Sequence, residues 1–232
     1  MSEGGLSQRL ASVRDRIASA AERAGRDPAG IHILAVTKGH PASTIEAALA
    51  VGLTDIGESR VQEAQAKHRL LAGRAATWHM IGHLQRNKAR AAASIFDVVH
   101  SVEAAPVAET LDHHRSGERS RLRVLLEVEL TGIDGRSGVT PGEVSGLLGA
   151  VRLCPHLEPV GLMTIAPPGA PEAARDCFER LRALRDRLVD FHGLAMPELS
   201  MGMSDDFEIA VAQGATMIRL GRVLFGDRPA GR

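Results

Sequence analysis

Ile33-Leu34-Ala35-Val36-Thr37-Lys38 is an apolar run that ends in a lysine and is followed by Gly39 and Pro41. An unbroken apolar run bounded by turn residues is what a strand buried on both faces looks like, as in a parallel sheet covered by helices. In parallel α/β proteins, the side chain just past the C-terminal end of such a strand stands at the ligand face. Lys38 is therefore placed where a lysine can do chemistry. The pattern alone also fits an ordinary surface lysine closing a strand, and the rest of the chain has to decide.

Working outward, the same apolar–amphipathic alternation recurs. Leu6, Leu10, Val13, Ile17 and Ala20 give residues 6–25 a helical period. Ser43–Leu49 reads as a helix, Leu53–Ile56 as a short strand and Val61–Leu71 as a helix. Thr77–Ile81 is strand-like, Gln85–Ala93 helical, Phe96–His100 a strand and Val107–His114 a helix. Arg121–Glu129 reads as the longest strand, followed by a glycine-rich loop and a helix with Pro141 at its first position. Leu157–Met163, Glu198–Ser200 and Thr216–Leu220 complete the strands, with helices at Pro171–His192 and Asp205–Gln213 and a closing segment from Gly221 to Phe225. Eight strands alternating with helices predict a (β/α)8 TIM-type barrel with an additional N-terminal helix. No linker or change of composition divides the chain, so residues 1–232 read as a single domain.

The bulk properties narrow the function. The 232 residues are 44% hydrophobic and 24% charged, and 28 Lys and Arg balance 28 Asp and Glu. A general nucleic-acid binder needs a basic excess that this chain does not have. No apolar run approaches the about 18 residues of a membrane span. The N-terminus Met1-Ser2-Glu3-Gly4-Gly5 is polar, and Cys154 and Cys177 have neither metal-ligand spacing nor a disulfide framework. These features point to the cytoplasm.

In barrels a phosphate site commonly forms on the loops after strands seven and eight. Here those loops read Ser200-Met201-Gly202-Met203-Ser204-Asp205-Asp206 and Arg219-Leu220-Gly221-Arg222. Glycine lets backbone N–H groups approach an anion, and Ser204 stands where a helix N-cap is expected. Simple capping by Ser204, with Asp205 and Asp206 favouring the helix dipole, explains the carboxylates but not the glycines or Arg219. A lysine facing a phosphate seat is the recipe for a pyridoxal-phosphate aldimine, with the lysine deprotonated in a partly desolvated mouth. Arg219, beside the pyridine ring, would keep the ring nitrogen unprotonated and so restrain carbanion chemistry. Met163, Met201 and Met203 read as packing around a ring at the mouth. His79 and His83, four apart on a strand and its loop, do not form the helical pair of a zinc site. Arg86, Lys88 and Arg90 read as a basic helix face.

With these residues in view, the chain resembles the pyridoxal-phosphate homeostasis protein family, barrels related to the N-terminal domain of bacterial alanine racemase. The resemblance rests on Ala35-Val36-Thr37-Lys38, Gly57-Glu58 with Val61-Gln62-Glu63, Trp78-His79 leading to Ile81-Gly82, and Leu84-Gln85 with Asn87-Lys88. It continues through Ser137-Gly138, Gly161-Leu162-Met163, Ser200 to Asp206, and Ile218-Arg219-Leu220-Gly221 with Phe225-Gly226. It implies that Lys38 carries the cofactor as an internal aldimine. Ser204 and the backbone at Gly221 and Arg222 would hold the phosphate, and Arg219 would face the ring nitrogen, with Met203 beside the site. The family usually has Asn-Tyr where this chain has Ser59-Arg60, and Ser or Thr where it has Arg222.

The implied role is buffering or delivery of pyridoxal 5'-phosphate to dependent apoenzymes by a monomer or weak dimer, without turnover. The alternative is a racemase-like enzyme on amino acids. Related racemases use a tyrosine opposite the lysine, and this chain contains no tyrosine. A Schiff-base aldolase or sugar-phosphate isomerase ranks last, because no evident carboxylate pairs with Lys38.

Overall fold

A computed structural model describes residues 3–118 and 120–227. Met1 and Ser2 of the polar N-terminal stretch lie outside the described residues. The strands are β1 (His32–Val36), β2 (Asp55–Glu58), β3 (Thr77–Met80), β4 (Val98–Val102), β5 (Leu122–Glu127), β6 (Leu157–Met163), β7 (Glu198–Ser200) and β8 (Met217–Leu220). They pair in chain order, all parallel, and β8 closes on β1 with Leu34 beside Arg219. Between and around them run α1 (Glu3–Arg23), α2 (Ala42–Ala50), α3 (Val61–Leu70), α4 (Ala89–Ile95), α5 (Ala105–Arg115), α6 (Val144–Arg152), α7 (Pro171–His192), α8 (Phe207–Ala212) and α9 (Arg222–Phe225). The expected (β/α)8 barrel with an extra N-terminal helix is what forms.

Alternation along each strand splits the core in two. In β5, Val124 and Leu126 belong to the large apolar layer shared with the helices. Leu125 instead joins Val98, Val160 and Met163 in a small separate cluster inside the barrel. Arg123 and Glu127 share the inward face of Leu125 by the same period. The extra helix α1 buries Leu6, Leu10, Val13, Ile17 and Ala20. Arg16 pairs with Glu208 at 2.8 Å, and Arg9 Nε donates to the Leu224 carbonyl at 2.6 Å. That helix therefore braces α8 and α9, which follow the two loops expected to hold an anion.

Two strand starts differ from expectation for one shared reason: an apolar run reports burial, not ladder pairing. Leu53 and Phe96 are buried, yet they precede their strands, so β2 and β4 each begin two residues later than read. The Gln85–Ala93 helix is instead a 3-10 turn at Arg86–Lys88 followed by α4. Pro141 lies in a turn ahead of α6, where Glu143 Oε2 accepts from the Thr140 N–H and hydroxyl at 3.0 and 2.7 Å. With seven residues against six, β6 rather than β5 is the longest strand.

Gly161 marks where β6 and β7 press together. A Cβ built there would lie 1.9 Å from the Glu198 carbonyl oxygen, and backbone cannot yield as a side-chain tip does. Gly161→Ala is expected to destabilise the barrel by at least about 2 kcal/mol, read from the midpoint of denaturant unfolding.

Candidate functional site

Lys38 lies two residues beyond the end of β1, on a segment clamped by a buried ion network. Lys67, on α3, directs its ammonium inward. It donates to Glu58 Oε1 at 2.6 Å, Glu63 Oε1 at 2.7 Å and the Thr37 carbonyl at 2.8 Å. Those three bonds use all the donors an ammonium has. The Thr37 hydroxyl donates to Glu58 Oε1 at 2.6 Å, and the Gly39 N–H to Glu63 Oε1 at 2.6 Å. The residues on both sides of Lys38 are thus tied to β2 and α3. Glu58 is fully buried, and desolvation pushes its carboxyl up against the opposing pull of Lys67 and Thr37.

The loops after β7 and β8 meet on the other side of the mouth. Gly202 has φ +93°, and a Cβ there would stand 2.5 Å from that of Ala210, so this turn takes only glycine without displacement. Ser204 does not cap α8 as expected. The N-cap position of α8 is Asp206, whose Oδ1 accepts from the Met203 N–H at 2.5 Å. Ser204 Oγ instead accepts from the Val223 N–H at 3.3 Å, in the first turn of α9. The hydroxyl therefore sits at the helix start that follows β8. Arg222 is exposed and its guanidinium pairs with Asp205.

Arg219 is buried in the wall between these loops. Nη1 donates to the Ser200 carbonyl at 2.7 Å and to its hydroxyl at 2.9 Å, and Nη2 donates to the Thr164 carbonyl at 2.9 Å. Burial lowers its pKa to about 10, opposed by Glu127 and Asp206, so it stays cationic at neutral pH.

A cavity of about 470 Å³ opens among these parts. Lys38, Met203, Ser204, Arg219, Gly221 and Arg222 all line it, together with Val36, His40, Ile81 and Ile165. The six residues singled out from sequence are thus brought together. Of the three methionines expected around a ring only Met203 is there: Met201 lies in the helical layer and Met163 inside the barrel. Ser59 and Arg60 do not line the cavity. His83 pairs with Glu103 at 2.8 Å while His79 turns into the barrel, and no cluster of three metal-binding side chains occurs among the described residues. Arg86 and Arg90 are exposed.

Sequence reasoning missed Glu127. It is 5% exposed, its Oε2 has no hydrogen-bond partner, and burial followed by repulsion from Glu103 raises its pKa to about 7. The available signal was a carboxylate in an inward position two residues beyond Leu125 on a mostly apolar strand. A raised acid pKa means the native state holds a proton that the unfolded chain releases from about pH 4.5 upward. Stability attributable to this group is therefore present at low pH and declines between about pH 4.5 and 7. Glu127→Gln is expected to gain stability relative to wild type as pH rises from 5 to 8. The gain approaches but does not exceed about 3 kcal/mol, at about 1.4 kcal/mol per unit, measured by denaturant unfolding at both pH values.

The family model described as alanine racemase, N-terminal domain, matches residues 9–229. The pyridoxal phosphate homeostasis protein of Pseudomonas aeruginosa is 43% identical over 227 residues, covering 97% of each chain. That of Escherichia coli is 38% identical over 231 residues, covering 96% of this chain and 97% of its own. The structure of PipY from Synechococcus elongatus with PLP bound superposes with a TM-score of 0.84 at 37% identity, over 95% of this chain and 100% of that one. An alanine racemase of Clostridium difficile gives a TM-score of 0.75 at 13% identity, over 98% of this chain and 58% of the racemase, a likeness of fold. The chain belongs to the alanine racemase N-terminal domain family, beside relatives named pyridoxal phosphate homeostasis proteins.

Proposed function

We propose that this protein binds pyridoxal 5'-phosphate at Lys38 and holds or hands on the cofactor, without turning over a substrate of its own. The observation that carries the reading is the single cavity that joins Lys38, Arg219, Ser204 and the first turn of α9. The donor set suits the group. The chain has three lysines; Lys67 spends its donors in the buried network and Lys88 lies away on a 3-10 turn, leaving Lys38 at the cavity. When bound, the cofactor supplies an aldehyde that condenses with a lysine amine, losing water and giving a visible absorbance.

The chain's own residues have distinct tasks. Ser204 and the backbone N–H groups at Gly221 and Arg222 hold the phosphate, since a helix start offers unsatisfied donors to an anion. A side chain at Gly221 would place its Cβ 3.2 Å from the Val36 carbonyl, narrowing the cavity wall. Arg219, pinned through three hydrogen bonds, would present a fixed cation to the cofactor ring and so disfavour a proton on its nitrogen. Met203, in the cavity lining, would pack against the cofactor. Arg222 contributes its backbone, because its guanidinium is engaged by Asp205.

The absence of tyrosine from the sequence removes the usual second base of a racemase, and the similar full-length relatives are named for homeostasis. Recipients would be pyridoxal-phosphate-dependent apoenzymes of the cytoplasm, served by a monomer or weak dimer. No helix among the described residues is long and apolar enough to cross a membrane. The test is titration with pyridoxal phosphate followed by incubation with each amino acid and chiral analysis. A visible band without racemisation or decarboxylation supports the carrier reading. Sustained turnover would replace it with the racemase-like one.

A further inference from the structure

The lumen of the barrel holds a file of polar side chains that cofactor binding does not use directly. It starts at Asp55, the first residue of β2, at the mouth opposite the large cavity. Asp55 Oδ1 lies 3.2 Å from His79 Nε2, and His79 Nδ1 lies 2.8 Å from His100 Nε2. His100 Nδ1 lies 2.8 Å from Ser200 Oγ, which accepts from Arg219 Nη1 at 2.9 Å. His79, His100 and Ser200 are buried, at 2%, 0% and 0% exposure. Asp55 and His79 also border a small cavity of about 180 Å³ at the far mouth, beside His32, Arg123 and Glu198.

Counting donors sets the order of protons along this file. Burial, with the Arg219 and Arg123 guanidiniums adding to it, holds His100 uncharged, so its ring carries one proton. If that proton is on Nε2, it is donated to His79 Nδ1, and His100 Nδ1 accepts the Ser200 hydroxyl. His79 then donates from Nε2 to the Asp55 carboxylate, which that bond holds below the usual carboxylate range. His79, His100 and Ser200 each give one bond and take one, between a carboxylate that only accepts and a guanidinium that only donates. If the proton is on Nδ1, Ser200 Oγ must accept from both His100 and Arg219. Its own buried hydrogen then has no acceptor in the file, a costly omission.

We infer that Asp55, His79, His100 and Ser200 are positioning residues for Arg219: a carboxylate at one mouth fixes the proton order of the relay, and the relay fixes the guanidinium at the other. The relay keeps a lone pair of Ser200 Oγ turned toward Arg219 Nη1. Loss of Asp55 frees His79 to exchange partners with water in the small cavity, and the order past it is no longer enforced. Asp55 thus acts on the cofactor wall from the opposite mouth without touching it.

The proton order stands on the protein alone; the link to the cofactor rests on the proposed function. Side-chain 15N–1H NMR of the protein without added cofactor tests the first part. His79 and His100 are expected at pH 7 as Nε2–H tautomers with bare Nδ1. Asp55→Ala is expected to move the two nitrogens of His100 toward averaged shifts. Ser200→Ala should leave them in place, being beyond the anchoring carboxylate. Titration with pyridoxal phosphate tests the second part. Asp55→Ala and Ser200→Ala should each displace the visible band maximum and raise Kd by roughly tenfold, within the usual range of coupling between sites. A proton on His100 Nδ1 in the wild type overturns the relay. So does an Asp55→Ala variant with unchanged His100 nitrogens and an unchanged band. Should Asp55→Ala fail to fold, the wild-type tautomers and the Ser200→Ala band decide. A wild type that shows no visible band overturns the cofactor reading, and the tautomers then judge the relay by themselves.

Discussion

Lys38→Ala is expected to lose the visible absorbance with pyridoxal phosphate completely while remaining folded. The loss follows from position: of the three lysines only Lys38 borders the cavity. The stability of the variant should stay within about 1 kcal/mol of wild type, as for other half-exposed positions away from the core. The network that clamps its segment is built from Thr37, Gly39, Glu58, Glu63 and Lys67, all of which the variant keeps. Weak, colourless binding should persist through Ser204 and the α9 turn, detectable by calorimetry. A band that survives the substitution would place the reactive amine elsewhere.

Lys67→Met is expected to have the opposite profile, with a large loss of stability. The substitution keeps the length of the side chain and removes the ammonium. Glu58, fully buried and already carrying one unpartnered oxygen, would lose the cation paired with it. Breaking a buried ion pair from one side costs about 3–5 kcal/mol. For a domain of this size that is roughly 6–20 °C in Tm. The Thr37 carbonyl and Glu63 also lose a donor, so the segment bearing Lys38 should loosen and the cofactor Kd rise. The double variant Glu58→Gln/Lys67→Met should recover part of the stability, because the stranded charge is gone. If Lys67→Met melts with wild type, the network does not hold this segment.

The barrel was legible in the sequence because its signals are local. The run Ile33–Val36, the strand at Leu157–Met163 and the helix at Pro171–His192 declare themselves by period and by turn residues, and the last two have the bounds read for them. Leu53 and Phe96 misled the reading since they are buried outside any strand. The cavity residues were legible for a similar reason: Lys38, Ser204 and Arg219 each sit at or just past a strand end, where this fold builds its sites. Networks between distant elements were not. Nothing beside His100 in the sequence announces Ser200 as its partner, one hundred positions away. Lys67 reads as a helix charge until α3 turns it toward β2, and Glu127 as one charge within the Arg121–Glu129 strand until the β5 register aims it inward.

The claim that Lys38 carries the cofactor is tested most directly by borohydride reduction of the protein loaded with pyridoxal phosphate, followed by peptide mass mapping. One pyridoxyl group is expected, on the peptide containing Lys38, with Lys67 and Lys88 unmodified. A label on Lys88 or on the chain's amino terminus, or no label at all, would contradict the assignment.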